Sequence, residues 1–218
     1  MDLIEALRGT GAARGFTDEA IDDATVAALL DVARFAPSGG NRQPWRVAVV
    51  KDLALRRQLA EQMRPVWNAY AGIAAVAGDC APFAFGQDID APPVAAPNAL
   101  IDHIEQVPVV LAVAADLGRI ALMDGDLARP ALTGGASIYP FCWSVLLAAR
   151  ARGLGGVITT FLSRAEPTAA PLLGLPANHA LAATIFLGRP QHQPTRLRRH
   201  PVNSFATIDR FDGDSLDD

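Results

Sequence analysis

The stretch Ala36-Pro37-Ser38-Gly39-Gly40-Asn41-Arg42-Gln43-Pro44-Trp45 decides how this chain is read. It lies between an amphipathic segment that ends near Phe35 and an apolar run at residues 47–50. Two prolines bracket a Ser-Gly-Gly-Asn turn, and that composition forbids both a helix and a central strand. What remains is a stiff-ended loop, whose glycines lack the Cβ that would keep the backbone away from a ligand. Ser38, Asn41 and Gln43 supply donors and acceptors suited to a polar ring edge or a sugar. An ordinary helix-to-strand connection has the same composition, so the loop's residues leave both uses open.

Upstream of the loop, residues 3–7 read as a short helix and residues 8–16 as a connection. Asp22 or Asp23 can cap a second helix that gathers Val26, Leu29, Leu30 and Ala33 on one face. Downstream, residues 47–50 read as a buried strand by length and branching. Asp52 can cap a third helix with Leu55, Leu59, Met63 and Val66 on its apolar stripe; Pro65 is expected to bend or end it. Residues 109–115, 157–161 and 180–187 read as further strands. Residues 117–129 read as partly helical and 169–173 as a short helix. A long apolar helix is expected over 135–152, opened or kinked by Pro140 and stopped by Gly153-Leu154-Gly155-Gly156. This alternation predicts an α/β or α+β sandwich, one domain over residues 1–218, with helices covering a sheet.

Residues 78–98 have another texture. Pro82, Pro92, Pro93 and Pro97 leave little regular structure, while Phe83 and Phe85 stay apolar. A loop of this length in a compact domain points to a flap over a site, or to a surface excursion pinned by its phenylalanines.

The chain is 50% hydrophobic and only 19% charged, apolar enough to suggest a large subunit interface. A net charge of −4 argues against a general nucleic-acid partner. The acidic start, Met1-Asp2-Leu3-Ile4-Glu5, is unlike a signal peptide, and no apolar run is long enough to span a bilayer. Cys80 and Cys142 form no paired motif, so a reducing cytoplasm is expected.

Several familiar chemistries are missing from the pattern. Gly153-Leu154-Gly155-Gly156 ends a helix and opens a strand, the reverse of a dinucleotide fingerprint. The four histidines, His103, His179, His192 and His200, lack metal-ligand spacing and read as surface residues. Cys142 reads as inert packing, and Asp88 and Asp90 as a solvated turn. With no constellation of side chains suited to acid–base or nucleophilic work, a bound organic cofactor is expected to carry the chemistry. Arg189, Arg196, Arg198 and Arg199 crowd the C-terminal region of an acidic chain. Their forks suit a phosphate, although a solvated basic segment has the same composition.

The loop at residues 37–45 closely resembles the first motif of the nitroreductase family, FMN-dependent oxidoreductases that use NADH or NADPH. The resemblance extends through Arg8 to Phe16 and the helix from Pro140 to its glycine exit at Gly156. It continues through Leu172-Leu173-Gly174-Leu175-Pro176 and Leu187-Gly188-Arg189-Pro190, and ends at Arg198-Arg199-His200-Pro201-Val202. It implies an α+β sandwich with a mixed sheet under helices, and a homodimer with FMN at its interface. Arg14 would lie by the flavin. Pro37, Ser38, Gly39 and Asn41 would approach it from one subunit, and Gly156 and Thr159 from the facing one. Arg199, helped by Arg198, would bind the FMN phosphate. NAD(P)H would deliver hydride, and a nitroaromatic, quinone or other small acceptor would receive it.

Relatives of the same fold also fragment reduced flavin with oxygen or remove halogen from aromatic substrates. Two departures stand out in this chain. Gly11 and Ala12 replace the usual basic and hydroxyl residues, and Trp143-Ser144 replaces the usual Gln-Asn. The first suggests weaker phosphate binding, and leaves open a flavin-binding protein without turnover. Glycine at position 11 could also answer to a positive φ.

Overall fold

Val109–Asp116 forms the strand on which the rest of the molecule is hung, and residues 109–115 are all buried. A strand covered on both faces has no polar alternation, which is why it reads as one unbroken apolar run. The computed structural model describes residues 2–77 and 91–216. Most of the expected flap, residues 78–90, lies outside these, together with Cys80, Phe83, Phe85, Asp88 and Asp90.

The elements in chain order are α1 (Leu3–Gly9), α2 (Asp23–Ala33), β1 (Trp45–Val49), α3 (Leu53–Ala77), α4 (Ala99–Asp102) and β2 (Val109–Asp116). There follow α5 (Tyr139–Ala151), β3 (Gly155–Thr159), α6 (Phe161–Arg164), α7 (Glu166–Leu173) and β4 (His179–Gly188). The strands lie in the order β1-β2-β4-β3, and every pairing is antiparallel. The α+β class is as expected. The mixed sheet is not found: among the described residues all three strand pairs run antiparallel.

Two cores flank the sheet. On one face Leu111, Val113, Ile185 and Leu187 meet α2 and α5 through Leu29, Phe141 and Val145. On the other, Val110, Ala112, Leu181 and Phe186 meet α3, α4 and α6 through Leu59, Met63, Leu100 and Leu162. The β2–β4 register shifts between Val113 and Ala114, whose partners are Ala183 and Leu181, so Ala182 is the extra residue of a bulge. A bulge reverses which face the following side chains take, and bulges collect beside functional sites.

Asp22 caps α2 by accepting from Thr25 N at 2.7 Å, and Asp52 accepts from Leu55 N at 2.6 Å at the start of α3. Several boundaries differ from expectation. α3 runs through Pro65 to Ala77, because contacts from a later segment hold its second half. Trp67 Nε1 donates to Ala96 O at 2.7 Å, and Val94 N donates to Asn68 O at 3.0 Å. Pro140 opens α5 rather than kinking it, and Thr133–Gly135 forms a separate 3₁₀ turn. Residues 117–129 hold only one short helical turn, Leu117–Arg119. β3 starts at Gly155 and stops at Thr159, so Phe161 opens α6 instead of ending the strand. Among the described residues no helix is long and apolar enough to cross a membrane.

Candidate active site

The organising loop is built by its own polar side chains. Gly39–Asn41 makes a 3₁₀ turn in which Gly40 has φ +60°, and Asn41 and Gln43 follow at +52° and +48°. Such left-handed residues cost about 1–3 kcal/mol when they are not glycine, and persist only where neighbours over-determine them. Here Gln43 N donates to Ser38 Oγ at 3.0 Å, and Gln43 Nε2 donates to Asn41 Oδ1 at 3.1 Å. Gly39 N donates to Ser137 Oγ at 3.0 Å, and Asp116 N to Pro44 O at 2.7 Å. Ser38 and Asn41 therefore shape the loop. Pro37, Ser38 and Gly39 line a cavity of about 320 Å³.

Arg14 belongs to a second cavity, of about 610 Å³, whose walls include Trp67, Tyr70, Asn98, Thr159 and Phe161. Its position follows from one backbone bond, Ala13 N to Gly156 O at 3.0 Å. Arg14 is exposed and forms no ion pair among the described residues. Trp67 stacks on Tyr70 with ring centroids 5.8 Å apart, and meets Phe161 edge-on at the same separation. Thr159 Oγ1 reaches Thr184 O at 3.5 Å. Trp67, Tyr70 and Asn98 did not emerge from the sequence, because the long helix and the later segment that bring them together are distant in the chain.

A third cavity of about 830 Å³, almost wholly aliphatic, lies between the Ala182 bulge and residues 117–140. Tyr139 stands on its wall, and burial raises its phenol pKa. Asp124 holds the loop around this space together. It accepts from Leu132 N (2.8 Å), Thr133 Oγ1 (2.5 Å), Arg129 (2.7 Å) and Thr133 N (3.2 Å). Those donors, Leu132 N first, hold its carboxyl well below the usual range.

The remaining expected residues are dispersed. Gly156 is buried, and a Cβ there would lie 2.5 Å from Phe186 O and Leu187 Cδ2. Its demonstrated work is packing, and anchoring the Arg14 loop through its carbonyl. Asn41 sits on the organising loop but not on the wall of its cavity. Arg198 and Arg199 lie on the exposed C-terminal segment and line neither cavity; Arg199 Nη1 donates to Arg198 O at 2.7 Å. Arg189, counted in the same basic cluster, is engaged by Glu19, with Nη2 2.9 Å from Oε1.

Gly11 has no left-handed φ. Glycine is present because the C-terminal segment presses against it: a Cβ would lie 2.8 Å from Pro194 O. The histidine expectation also needs correction, since both ring nitrogens of His179 are buried without a partner among the described residues. Cys142 is fully buried, and burial pushes its thiol up to about 12, as inert packing requires.

A protein of Thermus thermophilus named NADH dehydrogenase is 27% identical over 216 residues, covering 87% of each chain. A 5,6-dimethylbenzimidazole synthase of Rhodospirillum rubrum is 30% identical over 189 residues, covering 87% of this chain and 79% of its own. The structure of an NADPH:FMN oxidoreductase from Vibrio harveyi, complexed with NAD+, superposes with a TM-score of 0.69 at 22% identity. It covers 95% of this chain and 77% of its own, a likeness of fold. The sequence profile of the nitroreductase family matches residues 7–189, and the chain belongs to that family.

Proposed function

We propose that the protein is an FMN-dependent oxidoreductase that takes hydride from NADH or NADPH and passes it to a nitroaromatic, quinone or similar acceptor. The observation that carries this reading is Arg14, a cation with no ion pair among the described residues, on an aromatic-walled cavity beside Thr159. That donor set fits a flavin: a guanidinium suits a ring edge that gains negative charge, and a fixed cation needs no reorganisation to stabilise it. When bound, FMN supplies the capacity to accept a hydride and give it up again.

In this reading Pro37, Ser38, Gly39 and Asn41 approach the cofactor from one subunit, and Arg14 and Thr159 from the other. Pro37, Ser38 and Gly39 line one cavity of the chain and Arg14 and Thr159 another, as a site shared across a homodimer requires. Leu3, Ile4, Leu7, Phe205, Ile208 and Phe211 are exposed, which supports a second copy covering them. Gly156 holds the Arg14 loop in place. Arg198 and Arg199 grip the FMN phosphate from the C-terminal segment. Donor and acceptor occupy the same face of the site in turn, so the residues must orient both while excluding neither.

The test is reconstitution with FMN and FAD in parallel, followed by NAD(P)H oxidation with an added quinone. Preferential uptake of FMN with sustained turnover supports the reading. Binding without turnover reduces it to a flavin-binding protein, and no flavin binding removes it. A second reading has its own motive, the 30% identity to a 5,6-dimethylbenzimidazole synthase. Oxygen-dependent loss of the flavin after reduction, followed by chromatography, would favour that chemistry.

A further inference from the structure

The cavity beside the organising loop carries a charge asymmetry that the flavin reading leaves unused. Arg42 and Arg119 line it with Ser38, Thr133 and Ser137, and among the described residues no carboxylate lines it. This occurs in a chain whose net charge is −4. Arg119 is aimed from outside the cavity: its Nε lies 3.1 Å from Asp116 Oδ2, and its Nη1 reaches Arg42 O at 3.4 Å. Asp116 is itself fixed, accepting from Gly118 N at 3.0 Å. Arg42 forms no ion pair among the described residues, so its charge is uncompensated. Ser137 Oγ accepts from Gly39 N at 3.0 Å, which leaves its hydroxyl proton to donate inward.

Arg42, with no described acid beside it, Arg119, held by Asp116 from outside the cavity, and the Ser137 hydroxyl make an anion-binding set, and arginine forks match phosphate oxygens in particular. At about 320 Å³ the space is at the small end of ligand cavities. It suits part of an extended ligand whose other end lies on the flavin.

We propose that this cavity is a phosphate subsite for the electron donor, with Arg42 and Arg119 holding a phosphate of the nicotinamide dinucleotide. The proposal rests on the reading above that such a dinucleotide is the donor. Two phosphates share the chemistry: the pyrophosphate common to both donors, and the 2′-phosphate that only NADPH carries.

The test uses the FMN-loaded protein with Arg42→Ala, Arg119→Ala and Arg42→Lys, assayed with NADPH and NADH against one quinone. Each alanine variant is expected to raise the KM for the donor about tenfold, the order of one lost charge-assisted bond, with the loss falling on KM rather than kcat. Arg42→Lys should recover part of it. Oxidation by quinone of enzyme reduced with dithionite, which bypasses the donor, should match wild type, as should FMN affinity and thermal melts. An effect on NADPH alone assigns the 2′-phosphate, and an equal effect on both donors assigns the pyrophosphate. Unchanged KM for both donors overturns the proposal, and so does loss of FMN affinity, which would move the arginines into the flavin site. Wild-type protein that binds FMN but oxidises neither donor would defeat the parent reading instead, so the two failures are distinct.

Discussion

The backbone N–H of Gly11 donates to the carbonyl of Pro194 at 3.2 Å, and a Cβ on Gly11 would lie 2.8 Å from that same oxygen. Gln193 Nε2 closes the contact from the other side by donating to Gly11 O at 3.0 Å. The N-terminal loop that presents Arg14 and the segment that leads to Arg198 and Arg199 are thus joined at a point with no room for a side chain. Gly11→Ala should destabilise the fold by about 1–3 kcal/mol, the usual cost of forcing atoms into a packed contact. Gly11→Arg should do the same and fail to tighten FMN, because its backbone must first move away from Pro194. Thermal melts alongside FMN titration check both; an arginine variant that binds FMN more tightly at unchanged stability would refute the contact as drawn.

Arg198 and Arg199, exposed on the C-terminal segment, are the proposed partners of the FMN phosphate. Arg199→Ala is expected to weaken FMN about tenfold or more, since a hydrogen bond to a charged group contributes about 1.5–3 kcal/mol. Fluorescence titration of the apoprotein reads this directly. Unchanged affinity would leave the FMN phosphate without its proposed partner.

Arg56 is buried yet has no carboxylate partner among the described residues. Its Nε donates to Val50 O at 2.8 Å and its Nη1 to Val107 O at 2.6 Å, tying the start of α3 to the chain that enters β2. Burial lowers its pKa, as expected for a desolvated cation. Arg56→Ala leaves those carbonyls unpaired and should cost about 3 kcal/mol. Denaturant unfolding should show this as a lower midpoint with an unchanged slope.

Asp124 predicts an acid limb in the stability profile. Its folded pKa is depressed, chiefly by the Leu132 N–H and the Thr133 hydroxyl, so the charged form is favoured in the folded state. That contribution is complete above the unfolded pKa of about 3.9 and is lost as pH falls through the folded value. Asp124→Asn should lower the denaturant midpoint at neutral pH and flatten the decline below about pH 4. A variant with the same acid limb as wild type would assign the limb to other carboxylates.

Much of this was legible in the sequence, for local reasons. Asp22 and Asp52 announce their helices by capping chemistry, Val109 to Ala115 is a strand because it is buried on both faces, and Pro140 stands where a helix can begin. What stayed hidden depends on contacts distant in sequence. Pro65 suggested a break, but Trp67 and Asn68 bind a segment almost thirty residues later (about 26–29 positions on) and carry α3 past it. The same crossing makes the wall of Trp67, Tyr70 and Asn98 beside Arg14. That Gly156 also packs, with Phe186 and Leu187 where a Cβ would stand, is visible only in the fold. Gly11 looked like a missing charge, and is a place where two chain segments touch.

FMN bound beside Arg14 is proposed to mediate hydride transfer from a nicotinamide donor. The direct measurement is the visible absorption spectrum of FMN-loaded protein, recorded anaerobically before and after NADPH or NADH and again after a quinone. The donor is expected to bleach the oxidised-flavin band, and the quinone to restore it. A protein that takes up no FMN, or an FMN band that neither donor alters while dithionite bleaches it, would contradict the claim.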